Sequence, residues 1–351
     1  MHLNLTAHKS NIEIILINDG STDESANICA TYLKDSRVRY YYKENEGLAA
    51  ARADGIAKAQ GEYVGFLDSD DWYELDAYEK MYLAAQKNSA DIVFCNCIEN
   101  EDGHRFSPEL RNGAFNREEI KAEILPQTLA YISKQGGKRA IRWSNCLRIY
   151  KMDNLRKHNV EFDRRLRRSQ DLQFTYEATL CAQNYYYLAN EHLYHNRVVG
   201  NSLSRGYTKN MWNLYKMLID DLYQSTENFK EVDLMDQMHL RAFFCVLDSI
   251  ENELKPTCPN DMETRIHFVE QIMNDEICTR FYEKIPVEKL NPLYQEYYNL
   301  ILKKDAKGIF KVTKKYQRKE NLKKNYWKPF VHFVTESKMT GGIYKALRNH
   351  K

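Results

Sequence analysis

Residues 63–74, YVGFLDSDDWYE, run from an apolar stretch straight into three carboxylates, Asp68, Asp70 and Asp71, with only Ser69 between them. The first half has the composition and length of a buried strand. The second half sits where that strand must leave the core. Like charges this close repel, so each has to reach water or a cation. Asp68 and Asp70 stand two apart, and a turn just after a strand can present both to one hard divalent ion, Mn2+ or Mg2+, which takes oxygen ligands. The competing reading is a solvated acidic turn that caps a helix starting near Glu74. Trp72, beside the acids, suits either stacking on a ring or core packing.

Outward from this turn the N-terminal part alternates. IEIILI (12–17), VRYYYK (38–43) and DIVFCNC (91–97) read as further strands, and DESANICATYLKD, GLAAARADGIAKAQG and ELDAYEKMYLAAQKN as helices between them. Such alternation predicts parallel βαβ units, whose ligand crevice lies at the carboxyl ends of the strands. Asp19, ending the strand in INDGSTD, therefore belongs to the same rim as Asp68. In NDGSTD (18–23) Gly20 permits a tight turn and Ser21 or Thr22 can cap the next helix. NEGLAAARADG (45–55) adds Asn45, Gly47 and Arg52, an isolated cation suited to a phosphate or base edge, or else a surface charge. Residues 106–205 are less regular and carry WSNCLRIYK, RRLRRSQDLQF and YHNRVVGNSLSR. From 207 to 302 the pattern is helical and rich in Tyr, Leu and Met.

The chain has 351 residues, 43% hydrophobic and 28% charged, enough for one large domain with an extension, or two domains. Its eight cysteines show no paired CxxC spacing, which argues against zinc or a secreted disulfide framework. No apolar run approaches the roughly 18 residues of a membrane span, and MHLNLTAHKS lacks a signal-peptide core, so a cytoplasmic location is expected. Charge is uneven: Lys303 to Lys351 holds 15 Lys and Arg against 3 acids, so a basic tail follows an acidic body. With Tyr326, Trp327, Phe330 and Phe333 in NYWKPFVHFV, that tail suits an anionic membrane surface; a helical cap on the acidic body is the other reading. RRLRR (164–168) suits phosphate groups or is a solvated charged face. No nucleic-acid partner is expected.

Taken in order across residues 10–205, the strings INDGSTD, NEGLAAARADG, FLDSDD and SQDLQF resemble the successive motifs of the inverting nucleotide-sugar glycosyltransferases of family 2, with the fold called GT-A. The resemblance implies an α/β domain, Rossmann-like, with a mostly parallel sheet and flanking helices. Its expected parts are a nucleotide-sugar-binding portion at 1–105 and an acceptor and catalytic-base portion at 106–206; a helical extension (207–302) and the tail (303–351) follow. By the same resemblance, Asp19, with Gly20 and Ser21, binds the uracil side of a UDP-sugar, and Arg52 lies beside the nucleotide. Asp68 faces the ribose or shares the metal that Asp70 coordinates, and His195 is a weaker third candidate ligand. Asp171, where the family has a Glu-Asp pair and this chain has Gln170 first, is the general base that activates a hydroxyl of a saccharide or lipid-linked acceptor. Placed in a first helical turn, its carboxyl is expected to be held down by the helix dipole.

Surface polysaccharide synthesis at the inner face of the plasma membrane is the expected setting. Family members begin with a further strand that lies centrally, between those represented by IEIILI and YVGFL, and only about ten residues precede IEIILI here. A truncated reading of a longer gene, or a degenerate transferase-like protein with little activity, is therefore expected. FLDSDDW also resembles the first motif of haloacid-dehalogenase phosphatases, but Asp71 and Trp72 stand where those enzymes carry Thr or Val.

Overall fold

The computed structural model describes residues 11–99, 104–130, 141–197 and 206–322. β1 (Ile14–Asp19) and β2 (Val38–Lys43) form a parallel pair, with Ile14 opposite Val38 and Asp19 opposite Lys43, connected by α1 (Ser25–Tyr32). Their β-branched and tyrosine side chains suit a pleated, half-buried surface. α2 (Leu48–Lys58) packs on β1 and buries Ala49, Ala50, Ala51 and Arg52. The run of alanines lets the helix backbone come close to the strand.

A second sheet follows, with the strand order β3 (Tyr63–Gly65), β8 (Arg148–Lys151), β5 (Ile92–Glu99), β9 (Tyr185–Asn196) and β4 (Trp72–Tyr73). β6 (His104–Phe106) joins β5, and β7 (Gly113–Phe115) joins β9. The four strands and three helices expected in the first hundred residues are all present, the third helix being α3 (Ala77–Asn88). The α/β class stands, but the ladders are mixed rather than mostly parallel. β1–β2 and β5–β9 run parallel, whereas β3–β8, β5–β8, β4–β9, β5–β6 and β7–β9 run antiparallel. The reason is that β8 and β9 come from the irregular middle of the chain. β8 inserts antiparallel between β3 and β5, a long-range pairing that local alternation does not encode.

Between β1 and β3, where the family resemblance puts a central strand, there is no ladder among the described residues. Glu13 spans that junction: its Oε1 accepts the N–H groups of Gln60 (2.5 Å) and Gly61 (2.7 Å), and its Oε2 pairs with Arg39.

The first core lies under β5, whose Ile92 to Cys97 are buried on both faces, as expected of a central strand. It is closed by Met81 and Ala85 of α3 and by an aromatic group in which Phe162 stacks on Phe174 at 4.2 Å. α4 (Arg117–Glu119) passes through a π turn into α5 (Leu125–Leu129), and α6 (Met152–Lys157) follows β8. All eight cysteines are free thiols, six of them buried.

After β9 the chain is helical. α7 (Gln170–Cys181) lies before β9, and α8 (Met211–Asn228) and α9 (Met235–Glu253) follow it. α9 is buried on nearly every side because it separates the first core from a second. That second core adds α10 (Met262–Asn274), α11 (Glu276–Tyr282), α12 (Pro292–Leu302) and α13 (Ala306–Leu322). α13 buries Ile309, Phe310, Val312 and Thr313 and exposes Lys307, Lys311, Lys314 and Lys315. The basic segment from 303 thus starts as part of the helical extension; its lysines masked an amphipathic helix. Tyr326, Trp327, Phe330 and Phe333 lie outside the described residues. Among the described residues no helix is long and apolar enough to cross a membrane.

Candidate active site

α2 organises the rim. Its N-terminus begins at Gly47, in the left-handed region with φ +89°, where a β-carbon would meet the Arg167 guanidinium. The carboxylate of Asp19, at the end of β1, receives the N–H groups of Glu46 (3.0 Å) and Gly47 (2.7 Å). A carboxylate there also meets the positive end of the helix. Gly20 (φ +75°) turns the chain so closely that a β-carbon would lie 2.8 Å from the Asn45 nitrogen, and the Ser21 N–H donates to Asn18 Oδ1 at 2.8 Å. Asp19, Gly20 and Ser21 therefore share one turn with residues 45–47.

Five residues into α2, Arg52 points into the protein and is 7% exposed. Its Nη2 donates to Asp68 Oδ1 at 2.8 Å, its Nη1 pairs with Asp171, and its guanidinium carbon lies 5.8 Å from the centre of the Phe162 ring. Arg52 is therefore not a surface charge. It is a buried cation shared by two carboxylates that are 103 positions apart in the chain.

The three acids of FLDSDD have three different surroundings. Asp68 pairs with Arg52 and keeps 37% of its side-chain surface. Asp71 turns toward β9: it accepts from the Tyr194 hydroxyl, from the Arg197 N–H (2.6 Å) and from Asn196 (3.3 Å). Burial raises its carboxyl, and those hydrogen bonds oppose the rise. Asp70 is exposed and has neither ion pair nor hydrogen bond among the described residues. Trp72 and His195 face each other across β4–β9 and stack at 5.0 Å, and His195 Nε2 lies 2.7 Å from Glu74 Oε1. His195 is thus engaged by Glu74 and Trp72. Trp72 remains 39% exposed, so it is not a core residue.

Among the described residues no three His, Cys, Asp or Glu side chains converge as a metal cluster. Asp70 with Asp68 nevertheless offers hard carboxylate oxygens at an open rim, the donor type of Mn2+ or Mg2+ sites that a diphosphate and water complete. The residues fit the ion.

Asp171 opens α7, and its Oδ2 accepts the Asn145 N–H at 3.2 Å. The expectation that the helix dipole holds its carboxyl down is corrected by the structure: its carboxyl is raised, chiefly by burial, with Asp68 adding to the rise and Arg52 and Asn145 opposing it. The magnitudes explain the outcome. A helix terminus is worth about 0.3–1 kcal/mol, less than one pKa unit, whereas burial can move a carboxyl by several units.

Most of RRLRR is held by the protein itself. Arg164 pairs with Asp54 at 2.5 Å, Arg165 with Asp163 and Asp221, and Arg167 donates to the Glu46 carbonyl. Leu166 is buried. Sequence reasoning missed Asn145 and Phe162 as parts of this site, and offered Arg167 only as one charge of the RRLRR run. Asn145 carried a signal, an amide just before an apolar strand, but nothing local tied it to Asp171.

A family model for glycosyl transferase family 2 matches residues 3–153. EpsH of Bacillus subtilis (strain 168), named as a glycosyltransferase, is 31% identical over 252 residues, covering 68% of this chain and 69% of EpsH. EpsJ of the same strain, named as an uncharacterized glycosyltransferase, is 33% identical over 172 residues, about half of each protein. Residues 1–349 of S. aureus TarS, crystallised with UDP-GlcNAc, share the fold with a TM-score of 0.64 at 16% identity, over 90% of this chain and 85% of that one. The same TarS region with UDP gives 0.62 at 17% identity. The chain belongs to glycosyl transferase family 2 and carries its GT-A fold.

Proposed function

We propose that this protein transfers a sugar from a UDP-sugar to a hydroxyl group of a saccharide or lipid-linked acceptor, with inversion at the anomeric carbon. The observation that carries the reading is the Asp68–Arg52–Asp171 cluster, which brings the expected donor side and the expected base together at the carboxyl ends of β1 and β3. The UDP and UDP-GlcNAc bound by TarS, which shares the fold, support UDP as the nucleotide.

In this reading Asp171 accepts the proton of the acceptor hydroxyl as its oxygen attacks the anomeric carbon. The bond from that carbon to the diphosphate breaks, and its electron pair leaves on UDP. Arg52 opposes the effect of burial on the Asp171 carboxyl, and the Asn145 N–H orients it. Asp70, with Asp68, would hold Mn2+ or Mg2+, which supplies positive charge against the leaving diphosphate. Asp19, Gly20 and Ser21 shape the turn beside the nucleotide, and the exposed Trp72 suits a sugar face.

The exposed lysines of α13 support a peripheral position at an anionic, cytoplasmic membrane face, where a lipid-linked acceptor of surface polysaccharide synthesis is met. A thermal-shift series tests the donor: UDP with Mn2+ should raise the apparent stability more than either alone, because a ligand that binds the native state stabilises it. Absence of any UDP shift, with or without metal, would exclude the reading.

A further inference from the structure

Thr175 lies four residues after Asp171 on α7, so both side chains leave the helix on one face, one turn apart. Both are tied to the same backbone segment, Trp143–Asn145, which leads into β8. Asn145 N–H donates to Asp171 Oδ2 at 3.2 Å. Thr175 Oγ1 lies 2.9 Å from the Trp143 carbonyl and 2.9 Å from Asn145 Oδ1, and its single proton serves one of them. The Tyr150 hydroxyl, from β8, donates to Asn145 Oδ1 at 2.6 Å and stands 3.1 Å from Thr175 Oγ1.

Asn145, Tyr150 and Thr175 are all buried, at 0%, 0% and 1% exposure. Apolar side chains of the same shapes would fill this space without the cost of burying polar atoms. Asn145 even keeps its Nδ2 buried without a hydrogen-bond partner among the described residues. From the far side, Arg241 of α9 stands 4.8 Å from the Trp143 ring centre, so the helical extension braces the same segment. A slip of α7 by one residue is a 1.5 Å shift, enough to break both ties.

We infer that Asn145, Tyr150 and Thr175 are positioning residues for the base. They fix the Asn145 N–H against Oδ2, and so set the direction in which Asp171 presents its carboxylate. The inference rests on the reading of Asp171 as the base.

The test uses the full chain and two shape-conserving variants, Thr175→Val and Tyr150→Phe, with Thr175→Ser as the conservative rescue. Carboxyl 13C titration of Asp171, assigned by its loss in Asp171→Asn, is the direct readout; the charged groups facing that carboxyl are Arg52 and Asp68. Weakening the N–H bond should move the Asp171 titration upward by about half a unit or more in both variants, with Thr175→Ser close to wild type. UDP release from UDP-GlcNAc with Mn2+ should show kcat lower by about tenfold with KM unchanged.

Wild-type titration in both Thr175→Val and Tyr150→Phe overturns the inference, whatever their melting temperatures. If Thr175→Val does not fold, Tyr150→Phe carries the test. Undiminished turnover in Asp171→Asn would remove the base reading alone and leave the titration as the measure of the positioning network.

Discussion

Replacing Arg52 with methionine removes a cation that two carboxylates share. Breaking a fully buried ion pair by deleting one partner costs about 3–5 kcal/mol. Asp68 and Asp171 keep 37% and 22% of their side-chain surface, so water screens part of the uncovered charge. The expected loss at pH 7.5 is therefore smaller, about 2–3 kcal/mol. It should depend on pH. The Asp171 carboxyl is already raised by burial, and Arg52 is the foremost group holding it down. Without Arg52 it rises further, because the largest influence opposing burial is gone. The folded carboxyl then binds its proton more tightly than the unfolded chain does, so the variant regains stability as the pH falls through that raised value toward about 4. Urea midpoints of variant and wild type at pH 7.5, 6 and 5 measure the effect. The gap should be widest at 7.5 and narrow at 5. A gap that is constant over this range, or below about 0.5 kcal/mol at pH 7.5, refutes the reasoning. Arg52→Lys should recover only part of the loss, because a point charge cannot span two carboxylates as a planar fork does.

Four further outcomes are expected. Asp70→Asn should leave the urea midpoint within about 0.5 kcal/mol of wild type, since the side chain has no ion pair or hydrogen bond among the described residues, yet abolish the Mn2+ dependence of UDP binding by calorimetry; equal metal-dependent affinity would exclude the metal role. Asp171→Asn should bind UDP-sugar and lose transfer by about two to four orders of magnitude, and a near wild-type rate excludes it as the base. Gly47→Ala should cost about 1–3 kcal/mol, because φ +89° with ψ 168° is a region open only to glycine; an unchanged midpoint contradicts this. Co-sedimentation with phosphatidylserine vesicles should fall on deleting residues 323–351, which leaves α13 whole, or on raising the salt. Binding indifferent to both ends the membrane proposal.

The N-terminal alternation was legible because it is written in local composition: β-branched and aromatic residues in β1, β3 and β5, and an alanine-rich helix between β2 and β3. β8 and β9 were not, because their identity depends on which distant strands they join. The position of Asp171 beside Asp68 was expected only through family resemblance. Arg52 illustrates a signal that was present and underused. It follows Ala49 by three residues on a helix whose alanines face the core, so helical spacing alone places it on the buried side. An arginine on such a face must meet carboxylates, and the acids of the neighbouring strand ends were the candidates at hand. The RRLRR run shows the reverse. Five residues with four like charges suggested a phosphate grip, but Asp54, Asp163 and Asp221, scattered along the chain, neutralise much of it.

The cost of placing Asp68, Asp70 and Asp71 side by side is met by directing each charge differently. Asp71 is anchored inward by Tyr194 and by the backbone of Arg197, so the turn is fixed to β9. Asp68 is anchored across the cleft by Arg52, so the same turn is fixed to α2. With both flanks tied, Asp70 is the member left to face solvent, and its direction is set by neighbours that spend their own charge on holding the turn. A ligand presented this way needs little reorganisation when it meets a cation, because the side chains that could repel it are already hydrogen-bonded elsewhere. It also follows that neutralising Asp71 and neutralising Asp70 are different experiments. The first should loosen the turn and lower stability along with donor affinity; the second should remove affinity alone. If Asp71→Asn behaved like Asp70→Asn in both measurements, the division of labour within the turn argued here would be wrong.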